Sequence, residues 1–295
     1  MRVGLLSDVH GNIVALERVL EDAREQSVDT YWFLGDVLGY GPRPLDCIDC
    51  LQVLPIADEA WLLGNHDLAA WLLYENLGQT AGELEVQNLV ADWQARQVVI
   101  KHGLQLASGL WWIRPRSLGE LPNWKVIRPG VCLAHGVVFK EAHDPFNIGS
   151  LGYLRHHWQA RQSLVRATEL DGSGPIRLLI VGHTHVPIFW QADDGGTDRP
   201  WHSLSIDFNG DPQSLGDLQC RQVVINPGSV GQPRDGDPRA AYAILDLKQN
   251  TVSFRRVEYP IEQVQEEMRI NGYPGYEYYP DYPENTLIGR LAVGR

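Results

Sequence analysis

The chain has 295 residues, ten of them tryptophan, and 44 % are hydrophobic, enough for a full core in one large domain or two ordinary ones. A net charge of −12 argues against extended nucleic-acid binding, which needs a positive surface, so an anionic phosphate would have to meet a concentrated local positive charge. Four cysteines, no apolar run of about 18 residues and only "VGLLS" ahead of Asp8 argue against a disulfide frame, a membrane span and a signal peptide, and predict a cytoplasmic protein.

"RVGLLSD" reads as a short strand that ends in polar residues. "NIVALERVLEDAREQ" follows as a helix, with Ile13, Leu16, Val19 and Leu20 on one face and Asn12 as its cap. "TYWFLGD" is a second strand, and a helix starts near Pro44. That helix, "PLDCIDCLQ", holds Cys47 and Cys50, a single C-x-x-C without the second pair a zinc site needs, and it is read as packing. "EAWLLGNHD" is a third apolar run. Strands and helices alternate and the strands are apolar on both faces, which predicts an α/β fold with helices covering a sheet.

Residues 68–97 read as helical, and 98–128 give no clear pattern. "GVCLAHG" (130–136), "IRLLIVGHTH" (176–185) and "RQVVINPGS" (221–229) each read as strand then loop. "RHHWQARQ" reads as a helix face, which leaves His156 and His157, with His143, at the surface or behind the site. The Gly/Asp/Ser-rich stretch 191–218 is expected to be a surface insertion, as a hairpin. "YAILDL" and "TVSFRRVEY" predict two antiparallel strands around "KQN". The expected organisation is a domain over 1–258 carrying that insertion, with a helical and Tyr/Pro-rich appendage over 259–295 packed on it.

Polar residues gather at the ends of five of these strands: Asp8 and His10, Asp36, Asn65 and His66, His135, then His183 and His185. Ligands in open α/β folds bind beyond the carboxyl ends of strands, and a metal centre requires Asp, His and Asn delivered to one edge. Each residue alone has a plainer reading. Asp8 and His10 could be a strand end before a helix cap, Asp36 a turn acid, and His135 a strand-end histidine.

The set and order D-x-H, G-D, G-N-H-D, H-G, G-H-T-H resembles the calcineurin-like metallophosphoesterases. "GDVLGYGPRPLDCI" and "NPGSVGQPR" resemble the small prokaryotic phosphodiesterase branch, which includes diadenosine tetraphosphate hydrolase-like members. The resemblance implies a four-layer α/β/β/α sandwich, two mixed sheets flanked by helices with the metal site at the strand ends. It implies two divalent transition-metal ions bridged by Asp36. Asp8, His10 and His185 would complete one site, and Asn65, His135 and His183 the other. Such mixed ligands suit Mn, Fe, Zn, Co or Ni.

By the same resemblance, His66 faces the leaving group as general acid. Asp67 is then placed to orient its imidazole and raise its pKa. A plainer role for His66 is to hold phosphate without transferring a proton. Asn65 supplies a neutral carbonyl that does not cancel the charge attracting an anion. Arg234 and Arg43 are candidates to bind non-bridging phosphate oxygens, against the reading of solvated loop arginines. The expected activity is metal-dependent hydrolysis of a small phosphorylated substrate, a phosphodiester or dinucleoside polyphosphate, by a bridging hydroxide, with no extended nucleic acid and no membrane involved. The alternatives are a phosphomonoesterase, a protein phosphatase, or a scaffold that keeps the fold without catalysis. A β-lactamase-like zinc hydrolase would need an H-x-H-x-D-H cluster, which the sequence lacks.

Overall fold

A computed structural model describes residues 1–67, 123–138, 152–193 and 200–271. The expected helical stretch 68–97, the unclear stretch from 98 to 122, His143, and the Tyr/Pro-rich tail after 271 lie outside the described residues.

Two six-stranded sheets form the centre of the protein. The first contains β1 (Arg2–Leu6), β2 (Thr30–Phe33), β3 (Ile56–Trp61), β9 (Gln213–Ser214), β11 (Ala240–Asp246) and β12 (Thr251–Val257), in the order β3-β2-β1-β11-β12-β9. The second contains β4 (Trp124–Arg128), β5 (Val131–Ala134), β6 (Leu178–Val181), β7 (Ile188–Asp193), β8 (Trp201–Ser203) and β10 (Arg221–Asn226), in the order β4-β5-β6-β10-β7-β8. Both are mixed. β1 runs parallel to β2 and antiparallel to β11, and β10 runs parallel to β6 and antiparallel to β7.

Side chains alternate across each strand, so every central strand feeds two cores. On β2, Trp32 joins the core between the sheets, while Tyr31 and Phe33 face outwards. On β6, Leu178 and Ile180 point between the sheets and Leu179 and Val181 point away. Helices α1 (Ile13–Glu25), α2 (Pro44–Gln52) and α4 (Ile261–Ile270) cover the outer face of the first sheet. Helix α3 (His157–Asp171) covers that of the second. The result is the α/β/β/α sandwich that the resemblance implied. Asn12 caps α1, its side chain accepting from the Ala15 amide at 3.1 Å, and Ile13, Leu16, Val19 and Leu20 are buried. Cys47 is buried in α2 and its thiol pKa is pushed well up by burial, as a packing cysteine requires.

Residues 200–218 of the expected insertion are tied into both sheets. β8 pairs antiparallel with β7, and the chain then crosses to the first sheet, where β9 pairs with β12. Leu204, Ile206, Phe208, Leu215 and Leu218 pack against the core between the sheets, and Leu215 is 1 % exposed. The stretch straps the two sheets together. Its Gly/Asp/Ser composition hides spaced apolar anchors.

Candidate metal centre

β1, β2 and β3 are parallel in one sheet, and β5, β6 and β10 in the other. The loops leaving β1, β2, β3, β5 and β6 therefore meet at one edge of the sandwich, and they carry Asp8 and His10, Asp36, Asn65 and His66, His135, and His183 and His185. Two groups of ligand atoms result: Asp8, His10 and His185, and Asp36, His135 and His183, each with its atoms within 4.8 Å of one another. A third group, His10, Asp36 and His66, links them.

The backbone is strained to achieve this. Asp8 (φ 54°), His10 (48°), Asp36 (59°), His183 (65°) and His185 (59°) all adopt the left-handed conformation. That costs a non-glycine residue about 1–3 kcal/mol, and such strain concentrates at functional sites. In an extended chain His183 and His185, two residues apart, would share one face; the positive φ at each takes the loop out of the extended form, and His185 joins Asp8 and His10 while His183 joins Asp36 and His135. Two glycines answer a close approach: a Cβ on Gly64 would collide with the Asp36 carboxylate, and one on Gly39 would lie 2.7 Å from His66 Nδ1.

Each carboxylate is held by one oxygen. Asp8 Oδ2 accepts from Ser7 Oγ (2.5 Å) and the His183 amide (3.0 Å), and Asp36 Oδ1 accepts from the His66 amide (2.8 Å). The other oxygens, Asp8 Oδ1 and Asp36 Oδ2, are buried with no hydrogen-bond partner. They face imidazole Nε2 atoms instead: His185 lies 3.3 Å from Asp8 Oδ1, and His135 lies 3.3 Å from Asp36 Oδ2. Asn65 Oδ1 lies 3.2 Å from His135 Nε2.

The histidines are fixed from behind. Nδ1 of His10, His135 and His185 donates to the carbonyls of Leu38 (2.8 Å), Leu34 (2.8 Å) and Gln232 (2.6 Å). A carbonyl only accepts, so a proton sits on each Nδ1, and in the neutral ring Nε2 offers its lone pair. Burial holds His10 and His185 well below the usual imidazole pKa, so both are neutral. Their Nε2 atoms nevertheless converge to 3.1 Å. Two lone pairs and two bare carboxylate oxygens pointing into one buried space repel unless a cation lies among them. The residues present therefore fit divalent metal. His135 behaves differently: burial lowers its pKa, but the Asp36 carboxylate, the charge of Asp8 and the Leu34 carbonyl together outweigh this and the net shift is up to about 9.

Asp67 corrects the expectation. Its carboxylate accepts from three amides, Asp36 (2.8 Å), Leu38 (3.0 Å) and Gly64 (3.1 Å), and not from the His66 ring. It ties the loop after β2 to the loop after β3. The His66 pKa is lowered, chiefly by burial, rather than raised. Arg43 is not brought to the centre either. It is exposed at the start of α2, and its Nε lies 2.7 Å from Asp46 one helical turn on. Arg234 is brought there. Its amide donates to the His185 carbonyl, and its guanidinium lies 5.5 Å from the centre of the Tyr40 ring.

Sequence reasoning missed two aromatics and a brace. The Tyr40 ring lies 4.6 Å from both the His10 and His66 rings, and the Tyr153 ring stacks on His183 at 4.3 Å and 8°. A tyrosine between two glycines, four residues after Asp36, was the available signal for the first. "NPGSVGQ" runs behind the centre: Asn226 Nδ2 donates to the Gly182 carbonyl, Ser229 Oγ to that of Asp8, and the Gln232 carbonyl fixes His185.

A profile described as "Calcineurin-like phosphoesterase" matches residues 1–187, and one for the "Calcineurin-like phosphoesterase superfamily domain" matches 138–250. The chain belongs to the calcineurin-like phosphoesterase family. It is a phosphate-ester hydrolase of a family that uses divalent metals. A metallophosphoesterase from Sphaerobacter thermophilus is 32 % identical, with a TM-score of 0.65 and coverage of 100 % of this chain and 99 % of that one. A hypothetical protein from Pyrococcus horikoshii shares the fold at 17 % identity, TM-score 0.60, over 92 % and 94 % of the two chains. An uncharacterized protein of Methanocaldococcus jannaschii is 27 % identical over 99 % of this phosphoesterase and 98 % of its own length. A symmetrical bis(5'-nucleosyl)-tetraphosphatase of Pectobacterium carotovorum is 24 % identical over 55 % of this chain and 60 % of its own. Among the described residues no helix is long and apolar enough to cross a membrane.

Proposed function

We propose that this phosphoesterase hydrolyses small phosphodiesters or dinucleoside polyphosphates at a two-cation centre shared through Asp36. The observation that carries this is the position of Asp36 Oδ2, 3.8 Å from His10 Nε2 on one side and 3.3 Å from His135 Nε2 on the other. Asp8, His10 and His185 would hold one ion, and Asn65, His135 and His183 the other. When bound, divalent cations supply charge neutralisation for a phosphate and a water acidic enough to attack phosphorus. Only Asp8 and Asp36 bring full negative charge as ligands, so the loaded centre attracts anions in a protein of net charge −12.

His66 is the proton donor to the leaving group in this reading. It makes no side-chain hydrogen bond among the described residues, and its ring borders His10 at 4.9 Å. Burial keeps it neutral in the free protein, and an anionic ester beside it favours its protonated form. Arg234 binds non-bridging oxygens, with Tyr40 under its guanidinium. The likeness to a bis(5'-nucleosyl)-tetraphosphatase supports dinucleoside polyphosphates among the substrates. We read the chain as one phosphoesterase unit over 1–258, with α4 packed on it through Val264 and Met268 in the core cluster outside the first sheet, working in the cytoplasm.

The test is a panel on protein reconstituted with Mn, Fe, Zn, Co or Ni: a phosphomonoester, a phosphodiester, cyclic nucleotides and dinucleoside polyphosphates. The reading expects the phosphodiester or the dinucleoside polyphosphate to be the best substrate. Preference for the monoester would overturn it.

A further inference from the structure

On the His183 side of the centre, the segment 152–156 lies between Gly136 and α3 without any role in holding metal. It is firmly anchored. The Val137 amide donates to the Gly152 carbonyl at 3.1 Å, Leu154 is fully buried in the outer core, and the Arg155 amide donates to Gln159 Oε1 at 2.8 Å. Neighbours of a buried residue in an extended segment face the other way. Tyr153 does so by stacking on His183, and the Arg155 guanidinium lies over the Tyr153 ring, 4.5 Å from its centre. Arg155 is exposed and meets no carboxylate among the described residues, unlike Arg18, Arg43, Arg166 and Arg269, each of which has an acidic partner three residues away.

The arrangement repeats one on the opposite side. There Tyr40 packs on His10 and carries Arg234. Each end of the centre thus has a ligand histidine, a tyrosine on it, and an arginine on the tyrosine. We infer that Tyr153 and Arg155 form a second anion-binding arm, which holds a phosphate beyond the scissile one. With His183 stacked on it and Arg155 over it, the Tyr153 ring has no face left for a base, so the arm offers charge rather than stacking. It selects substrates whose phosphates form a chain across the centre, from Arg234 to Arg155. This rests on the phosphoesterase reading of the centre and narrows its substrate class to polyphosphates.

Calorimetry on the metal-loaded protein tests it, with free Mn²⁺ held constant and inorganic tripolyphosphate and orthophosphate as probes. Wild type should bind tripolyphosphate the more tightly. Arg155→Gln should raise the tripolyphosphate Kd about 10-fold, which is about 1.4 kcal/mol, and the orthophosphate Kd by less than about twofold. Arg155→Glu should be worse on tripolyphosphate, and Arg166→Gln, an exposed control on α3, should match wild type. Wild-type affinity for tripolyphosphate in both Arg155 variants, or an equal loss on the two anions, would overturn the arm and leave the phosphoesterase reading standing. Failure of wild type to bind either anion would overturn that reading, and the arm with it.

Discussion

The backbone N–H of His66 donates to Oδ1 of Asp36 at 2.8 Å, so the carboxylate proposed to serve both cations also sets the position of the proposed acid. Ligation and proton donation are mechanically joined, but they should separate under mutation. His66→Asn keeps the amide and should keep the metal. General acid work is worth about 10²–10⁴-fold, so hydrolysis of esters with poor leaving groups should fall by that order. Esters of p-nitrophenol, whose leaving group departs without a proton, should lose little. Parallel kinetics on the two ester types decides it, and equal losses would show that His66 only binds phosphate.

The strap over 200–218 carries a stability prediction. Leu215→Ala should destabilise the protein by about 2–5 kcal/mol, as for other buried leucines, measured by urea denaturation. Metal stoichiometry should not change. A surface loop would give a change within about 0.5 kcal/mol, and that result would make the stretch a plain surface insertion.

Asp22 ties α1 to the first sheet. Burial pushes its carboxyl up, but hydrogen bonds from Arg255 (2.7 and 3.0 Å) and Tyr242 (2.6 Å) prevail, and its pKa lies below the ordinary 3.8. The unfolded chain therefore takes up this proton first as pH falls. The stabilisation is fully present above the ordinary carboxylate range and is lost as pH drops through the folded value. Asp22→Asn should cost about 1–3 kcal/mol at pH 7 and less at pH 3, by denaturant titration at both. An equal cost at both pH values would contradict the assignment.

The sequence was legible where chemistry is written in short spacings. D-x-H, G-N-H-D and G-H-T-H each follow a strand, and the structure brings all seven candidate ligands to one edge. Apolar strands broken by helices made an α/β fold legible, and the two mixed sheets came only as what the family resemblance implied. Asp67 was not, because its hydrogen-bond partners include amides about thirty residues upstream, and adjacency to His66 suggested the wrong partner. Arg43 was misread although the clue was local: Asp46 three residues on, in the first turn of a helix, captures it. Tyr153 carries no motif, and only the packing of α3 against the second sheet reveals it beside His183.

The central claim is that one carboxylate serves two cations, and metal content measures it. Wild-type protein reconstituted with Mn²⁺ and desalted should carry two ions per chain by mass spectrometry. Asp36→Ala, shown to be folded by its thermal melt, should carry none. One ion at full occupancy in that variant would mean that Asp36 is a terminal ligand of a single site, and the shared centre would have to be abandoned.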